Sequence, residues 1–333
     1  MGSSPSHVRR PRLPEPRGPL SAHVLDAISG PVRPLDPHPG IAGDALAGDD
    51  FHLALYLCYE LHYAGFEGAD GAWEWEPTLL GFRRGLEDAF EKELASAVPP
   101  VEGGADRIAR RLREIAESPG GRSLSRYLEA EPSLERFREF VVHRSAYHLK
   151  EADPHSWAIP RVTGPAKAAL VEIQHDEYGG GDPARMHSTL FAGTMRALGL
   201  DDSYGAYLSR LPGVTLAGVN LMSLFGLHRR WRGAAMGHLA LFELTSTDPN
   251  RRYGEALRRL GFGRDATAFY DEHVEADAVH ENIAAHDLAG ALVKAEPALG
   301  PDVELGASAL VFLEQRWADH LMAAWDAGRS SLL

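Results

Sequence analysis

At 333 residues, with 44% hydrophobic and 24% charged residues, a net charge of −13 and a mean hydropathy of −0.25, the chain has a globular composition and can bury a core without disulfides or metal staples. No apolar run reaches the roughly 18 residues that a membrane-spanning helix needs, and the most apolar stretch, 211–227, is interrupted by Pro212, Asn220 and Ser223. The acidic balance disfavours a nucleic-acid partner and points to a small molecule. The single cysteine, Cys58, excludes an intrachain disulfide framework and any thiolate metal site, as expected in a cytoplasmic protein.

Residues 1–20 lack the apolar core of a signal peptide, and prolines and glycines stay dense to Gly48, so residues 1–45 read as a disordered or wrapping N-terminal tail. Asp49 and Asp50 can cap a helix from Phe51 to about Gly65, with Phe51, Leu55, Cys58 and Leu61 on its apolar face. Pro77 opens a helix reaching Ala97, and a shorter amphipathic one spans 106–117. Ser133 is placed to cap a helix that runs to Glu151, where Pro154 interrupts it. A helix over 165–178 meets the break Gly179, Gly180, Gly181; Pro183 restarts the chain into a helix that stops at Gly199. Helical spacing then covers 203–244, with joints at Pro212 and Gly226, followed by helices over 251–260, 266–294 and 303–327. Strand alternation is nearly absent, so the fold class is all-α, a multi-helix bundle.

The strongest local pattern is His273-x3-Asp277-x2-His280, in a stretch free of proline and glycine. At about 100° per residue the three side chains fall within about 60° of arc and form one stripe. Two imidazoles and a carboxylate suit a metal, but a separation of about 10 Å along the axis is too long for His273 and His280 to meet easily on one ion. Two ions about 3.5–4 Å apart fit better. The remaining ligands must come from other helices, and Glu151 and Glu177, each just before a break, are the candidates, with His187 ten residues beyond Glu177. In a straight helix Glu177 and His187 would be about 15 Å apart on different faces, so the glycines and Pro183 must bend the chain if both face one cavity.

In order and spacing, Glu151, Glu177, His187, His273, Asp277 and His280 resemble the ligands of haem-oxygenase-like di-iron oxidases and oxygenases, over roughly residues 46–330. The resemblance implies a haem-oxygenase-like bundle of about seven core helices. It also implies Fe(II), two ions per chain, with dioxygen as co-substrate, acting on a small amino-acid-like or fatty-acid-like substrate by N-oxygenation, desaturation or carbon–carbon cleavage in a biosynthetic setting. A homodimer is the analogous assembly. Nitrogen and oxygen donors without thiolate suit iron.

Other residues carry weaker signals. Glu172-x2-His175 is half of a ferritin-like signature without its second copy. Glu60 and His62 sit in an aromatic run suited to a cavity wall or a core, His155 and His286 are reserves for a ligand out of register, and Arg185 and Arg252 are candidates to bind a substrate carboxylate. Three rival readings are a haem-binding or haem-degrading enzyme on the same fold, which leaves the His-Asp-His stripe unexplained, a thiaminase-like hydrolase using Cys58, and a non-enzymatic helical binding module.

Overall fold

A computed structural model describes residues 10–37, 40–98, 107–118 and 120–333, with the side chains of 277–279 outside the description. The main helices are α1 (Pro19–Ile28), α2 (Asp49–Glu60), α3 (Pro77–Ala97), α4 (Ile108–Ala116), α5 (Leu124–Ala130), α6 (Leu134–His148), α7 (Asp153–Ser156), α8 (Gly164–Glu177), α9 (His187–Ala197), α10 (Gly213–Leu227), α11 (Arg232–Arg259), α12 (Arg264–Asn282), α13 (Ala291–Ala295) and α14 (Gly300–Asp326). No strand occurs among the described residues. No helix there is long and apolar enough to cross a membrane.

The helix ends show why these segments fold where they do. Ser133 accepts a hydrogen bond from the Arg136 N–H at the start of α6, the cap that its sequence position suggests. Glu76 caps α3 by accepting from the Leu79 N–H at 2.6 Å, with Pro77 in the first turn. Asp49 and Asp50 behave differently from expectation. Gly48 is the N-cap of α2, and the two carboxylates reach across to other helices: Asp50 accepts from the Leu20 and Ser21 N–H groups at the start of α1, and Asp49 accepts from the Gly213 N–H at the start of α10. N–H groups of two helix starts, those of α1 and α10, therefore converge on the acidic first turn of α2.

The segment expected as tail or wrapping loop contains α1, whose Leu20, Val24, Leu25 and Ile28 are buried; α1 packs on α2. Its apolar spacing was present in the sequence but lay among prolines. The break expected between 244 and 251 is also absent, because α11 continues through Pro249. Proline removes one ladder hydrogen bond and strains the preceding turn, yet α11 packs extensively against α12 and α14, and that packing holds the helix together. The helix expected over 266–294 is α12 followed by a π-helical stretch, Ile283–Gly290, and then α13.

Two apolar clusters form the core. The larger joins α1–α4 to α10, α11 and α14, and the smaller holds Phe137, Phe140, Phe191, Phe269, Tyr270 and Trp317. The α11–α14 contact is closest at two glycines: a Cβ on Gly237 would sit 1.9 Å from the Val303 carbonyl oxygen, and one on Gly306 2.0 Å from that of Ala234. Neither obstacle is a side chain that can rotate away, so only a shift of one helix against the other could accommodate a methyl group. Gly237→Ala and Gly306→Ala are each expected to lower stability by about 1–3 kcal/mol in chemical denaturation, and an unchanged midpoint in both would show that this contact does not limit the packing.

Candidate metal centre

Three interruptions in the helices bring the polar side chains inward. After α6 the chain turns through Glu151 and Ala152, and Ala152 adopts φ 73°, a left-handed conformation unusual for a residue with a Cβ. Gln174 of α8 donates from Nε2 to the Ala152 carbonyl at 2.9 Å and holds the turn. After α8, Gly179, Gly180 and Gly181 all have positive φ (70°, 65° and 87°), and a Cβ on Gly179 would lie 2.6 Å from the Met186 nitrogen. These glycines reverse the chain so that Glu177, the last residue of α8, meets His187, the first of α9, with Oε2 and Nδ1 3.0 Å apart. The bend that the spacing required is made by the glycines, and the new helix starts at His187 rather than at Pro183. The third interruption is the π-helical stretch directly after α12.

The result is two adjoining groups of ligand-type atoms, each group lying within 4.8 Å of one another: Glu151, Glu177, His187 and His273 in the first, and Glu177, Glu243 and His280 in the second. Every one of these residues is buried, and Glu177 belongs to both groups. Five of the six sequence candidates are thus brought together. The sixth, Asp277, lies on α12 between His273 and His280, but its side chain is outside the described residues. Within the first group the His187 and His273 rings are 4.4 Å apart, and His273 Nε2 lies 3.8 Å from Glu151 Oε1.

The hydrogen bonds fix which atom of each residue faces inward. His273 donates from Nδ1 to the Phe269 carbonyl at 2.7 Å, so Nε2 is the nitrogen turned toward Glu151. His280 donates from Nε2 to Asp176 at 3.0 Å, leaving Nδ1 to face Glu243 Oε2 at 3.3 Å. His148 donates from Nδ1 to Glu151 Oε1 at 2.8 Å, so Oε2 is the available oxygen. Buried Glu151 Oε2, His187 Nδ1 and His280 Nδ1 have no hydrogen-bond partner among the described residues. The two nitrogens do lie close to carboxylates, but without hydrogen-bond alignment. Buried ligand-type atoms that face carboxylates without hydrogen-bond alignment leave places that a cation can fill.

The electrostatics agree. Burial disfavours the charged form of His280, yet Glu243, Asp176 and Glu177 overcome it and raise the imidazole to about 9. His187 is raised despite burial by Glu177 and Glu151. Glu243 is pushed upward by burial and by Glu177, with His280 pulling the other way. Burial also pushes Glu151 up, but His148 and His273 beside it hold it well below the ordinary carboxylate range. Nitrogen and carboxylate oxygen donors without sulfur are the set expected for iron.

Four residues in or beside this centre escaped the sequence reading. Glu243 and His238 are the polar residues of the otherwise apolar run 233–244, and a lone carboxylate in such a run was the available signal. Asp176 and His148 carried none, since their roles depend on what they touch. The weaker candidates go elsewhere. Glu172 and His175 are exposed, and His286 is exposed and receives a hydrogen bond from Arg113. Glu60 pairs with Lys150 at 3.0 Å inside a ring of tyrosines, and His62 sits between Glu74 and Arg83. Cys58 is buried and burial pushes its thiol up to about 12, an inert state. Arg185 pairs with Glu272 and Arg252 with Glu129 and Asp248; neither lines the cavity beside the carboxylates.

Comparison with known proteins bears on the same region. Nitrosourea synthase of Streptomyces achromogenes subsp. streptozoticus is 27% identical over 158 residues, which is 47% of this chain and 34% of that protein, so the match spans about a third of the relative's length. The sequence profile of a family described as iron-containing redox enzymes matches residues 138–315, a span that contains every residue of both ligand groups. The all-helical architecture is consistent with the haem-oxygenase-like bundle that the family resemblance implies. This chain belongs to the iron-containing redox enzyme family.

Proposed function

We propose that Glu151, Glu177, His187, His273, Asp277, His280 and Glu243 hold two iron ions, with Glu177 shared between them, and that the protein uses dioxygen to oxidise a small amino-acid-like or fatty-acid-like substrate by N-oxygenation, desaturation or carbon–carbon cleavage. The observation carrying this reading is the pair of buried nitrogen and oxygen groups that meet at Glu177. The relative's name, nitrosourea synthase, supports oxidation at nitrogen as the first reaction to seek. We assign this activity to the helical body read over 46–330 together with α1, which packs on it.

Iron bound here would supply electrons and a place for dioxygen to be reduced; the chain's own residues do the rest. His148 fixes one oxygen of Glu151 and leaves the other for the ion. Asp176 fixes the His280 tautomer, and the Phe269 carbonyl fixes that of His273. Outer partners of this kind orient ligands and raise their basicity. Phe191 and Phe269 close over His148, with ring centroids 4.8 and 4.9 Å from it, and keep water from that side.

Glu177→Ala and His280→Ala are expected to abolish iron-dependent oxygen consumption while helical circular dichroism survives; full activity in both would sink the ligand assignment. Glu243→Ala should reduce iron below two ions per chain in an anaerobic Fe(II) titration. Asp176→Asn, which touches only the far nitrogen of His280, should weaken iron affinity by about 10-fold or more, and an unchanged isotherm would remove its positioning role. Because His280 titrates at about 9 without metal, it carries a proton at pH 7 that iron must displace. Iron affinity should therefore rise with pH between 6 and about 9 and flatten above, with proton uptake by the buffer in calorimetry; a flat profile over that range would show that His280 does not compete for the ion.

A further inference from the structure

The two ligand groups border a cavity that is also lined by Tyr147, His155, Gln174, Phe242, Ser246 and Asn250. Its polar atoms have a definite sense. Gln174 donates from Nε2 both to the Ala152 carbonyl at 2.9 Å and to Ser156 Oγ at 2.7 Å. The first partner can only accept, so the amide orientation is settled and both donors are used. Downstream, Tyr178 donates to Asp153 at 2.7 Å, which leaves Ser156 as the donor in its 2.9 Å contact with Tyr178. The chain of hydrogen bonds thus runs in one direction, from Gln174 to a carboxylate. What remains is Gln174 Oε1, a buried acceptor with no partner among the described residues.

Among the described residues no lysine or arginine lines the cavity. His155 is bonded through Nε2 to His238 at 3.2 Å, and burial lowers it to about 4 and His238 well below the usual range, so both rings are neutral at pH 7. His238 belongs to a second, mainly apolar cavity between α6, α10, α11 and α14 that shares Tyr147 and Phe242 with the first. The arginine of that second space, Arg144, is held by both oxygens of Glu314, at 2.9 and 2.6 Å. Among the described residues a carboxylate entering either space would meet no free lysine or arginine, whereas a group with N–H bonds would satisfy the Gln174 acceptor that now has none. An unmet buried acceptor discriminates strongly between those two kinds of ligand.

We propose that the cavity is a subsite for a hydrogen-bond-donating nitrogen, an amine or related N–H group of the substrate, received by Gln174 Oε1 with its carbon remainder directed toward the apolar space beyond Phe242. This rests on the metal-site reading above, and Gln174 is a specificity residue rather than a ligand. The test uses anaerobic Fe(II)-loaded full-length protein, with iron content measured first and n-butylammonium and butyrate as calorimetric probes. The wild type should bind n-butylammonium at least about 10-fold more tightly than butyrate, and Gln174→Met should lose about 10-fold for the amine, the worth of one hydrogen bond to a charged donor. Gln174→Lys, which can still donate to Ala152, should reverse the order of the two probes. Absence of iron in the wild type overturns the metal-site reading. Iron-loaded wild type that binds the probes equally, or prefers butyrate, overturns the subsite alone, even if Gln174→Met does not fold.

Discussion

Three buried carboxylates, Glu151, Glu177 and Glu243, converge within one small volume of the helical interior, and the rest of the structure answers to that constraint. Two like charges about 4 Å apart repel by about 4 kcal/mol at an effective dielectric constant of about 20, so the cluster is untenable without positive charge. Without metal, imidazoles fill that role: His280 and His187 are both driven toward protonation by their acidic neighbours, while Glu243 is driven toward neutrality. Divalent ions would replace those shared protons with a larger and better-placed charge. A structural reading, in which histidine–glutamate pairs merely stabilise the core, fails on energy. Buried ion pairs are often no better than apolar residues of the same volume, and here His187 Nδ1 and His280 Nδ1 lie beside Glu177 and Glu243 without hydrogen-bond alignment, while Glu151 Oε2 has no hydrogen-bond partner among the described residues.

Such convergence is impossible for uninterrupted helices, because a ligand stripe on one rod can face only one direction. The backbone irregularities supply the missing freedom. The left-handed Ala152 ends the run of α6 beside Glu151, and three left-handed glycines bring His187 at the start of α9 to Glu177 at the end of α8. Conformations of this sort cost free energy for a residue with a side chain and persist where their surroundings over-determine them. The Gln174 donation to the Ala152 carbonyl is one such restraint. On the opposite side, α11 carries Glu243 inward because Gly237 and Gly306 let α11 and α14 approach to backbone contact. Positions far from any ligand thereby set the depth at which a ligand sits.

How much of this was legible in the sequence depends on the range of the interaction involved. Helix spans followed from local periodicity and caps, and α3, α6, α8 and α14 lie within a few residues of where spacing puts them. The failures came where tertiary contacts override local rules. Pro249 should end a helix and does not, α1 hides among prolines, and Asp49 and Asp50 cap helices other than their own. In the centre itself, five carboxylate and imidazole candidates were found because each lies at a break or on a shared stripe. Glu243 was missed because it sits mid-helix with no neighbouring ligand in sequence, and Asp176 and His148 because an outer hydrogen bond leaves no trace in spacing.

The longest-standing difficulty in the sequence, two histidines about 10 Å apart along one helix, is met by using different nitrogens. His273 gives Nδ1 to the carbonyl of its own helix one turn back and presents Nε2, the far edge of the ring, to Glu151 and His187. His280 gives Nε2 to Asp176 of α8 and presents Nδ1, the near edge, to Glu243. The two rings are thus restrained from opposite ends, one by its own helix and one by a neighbour. Each imidazole faces its own group of carboxylates, and the span between them is bridged by Glu177 of α8, the residue common to both groups. A single helix can in this way serve two adjacent positions without bending, provided that a carboxylate from another helix stands between them.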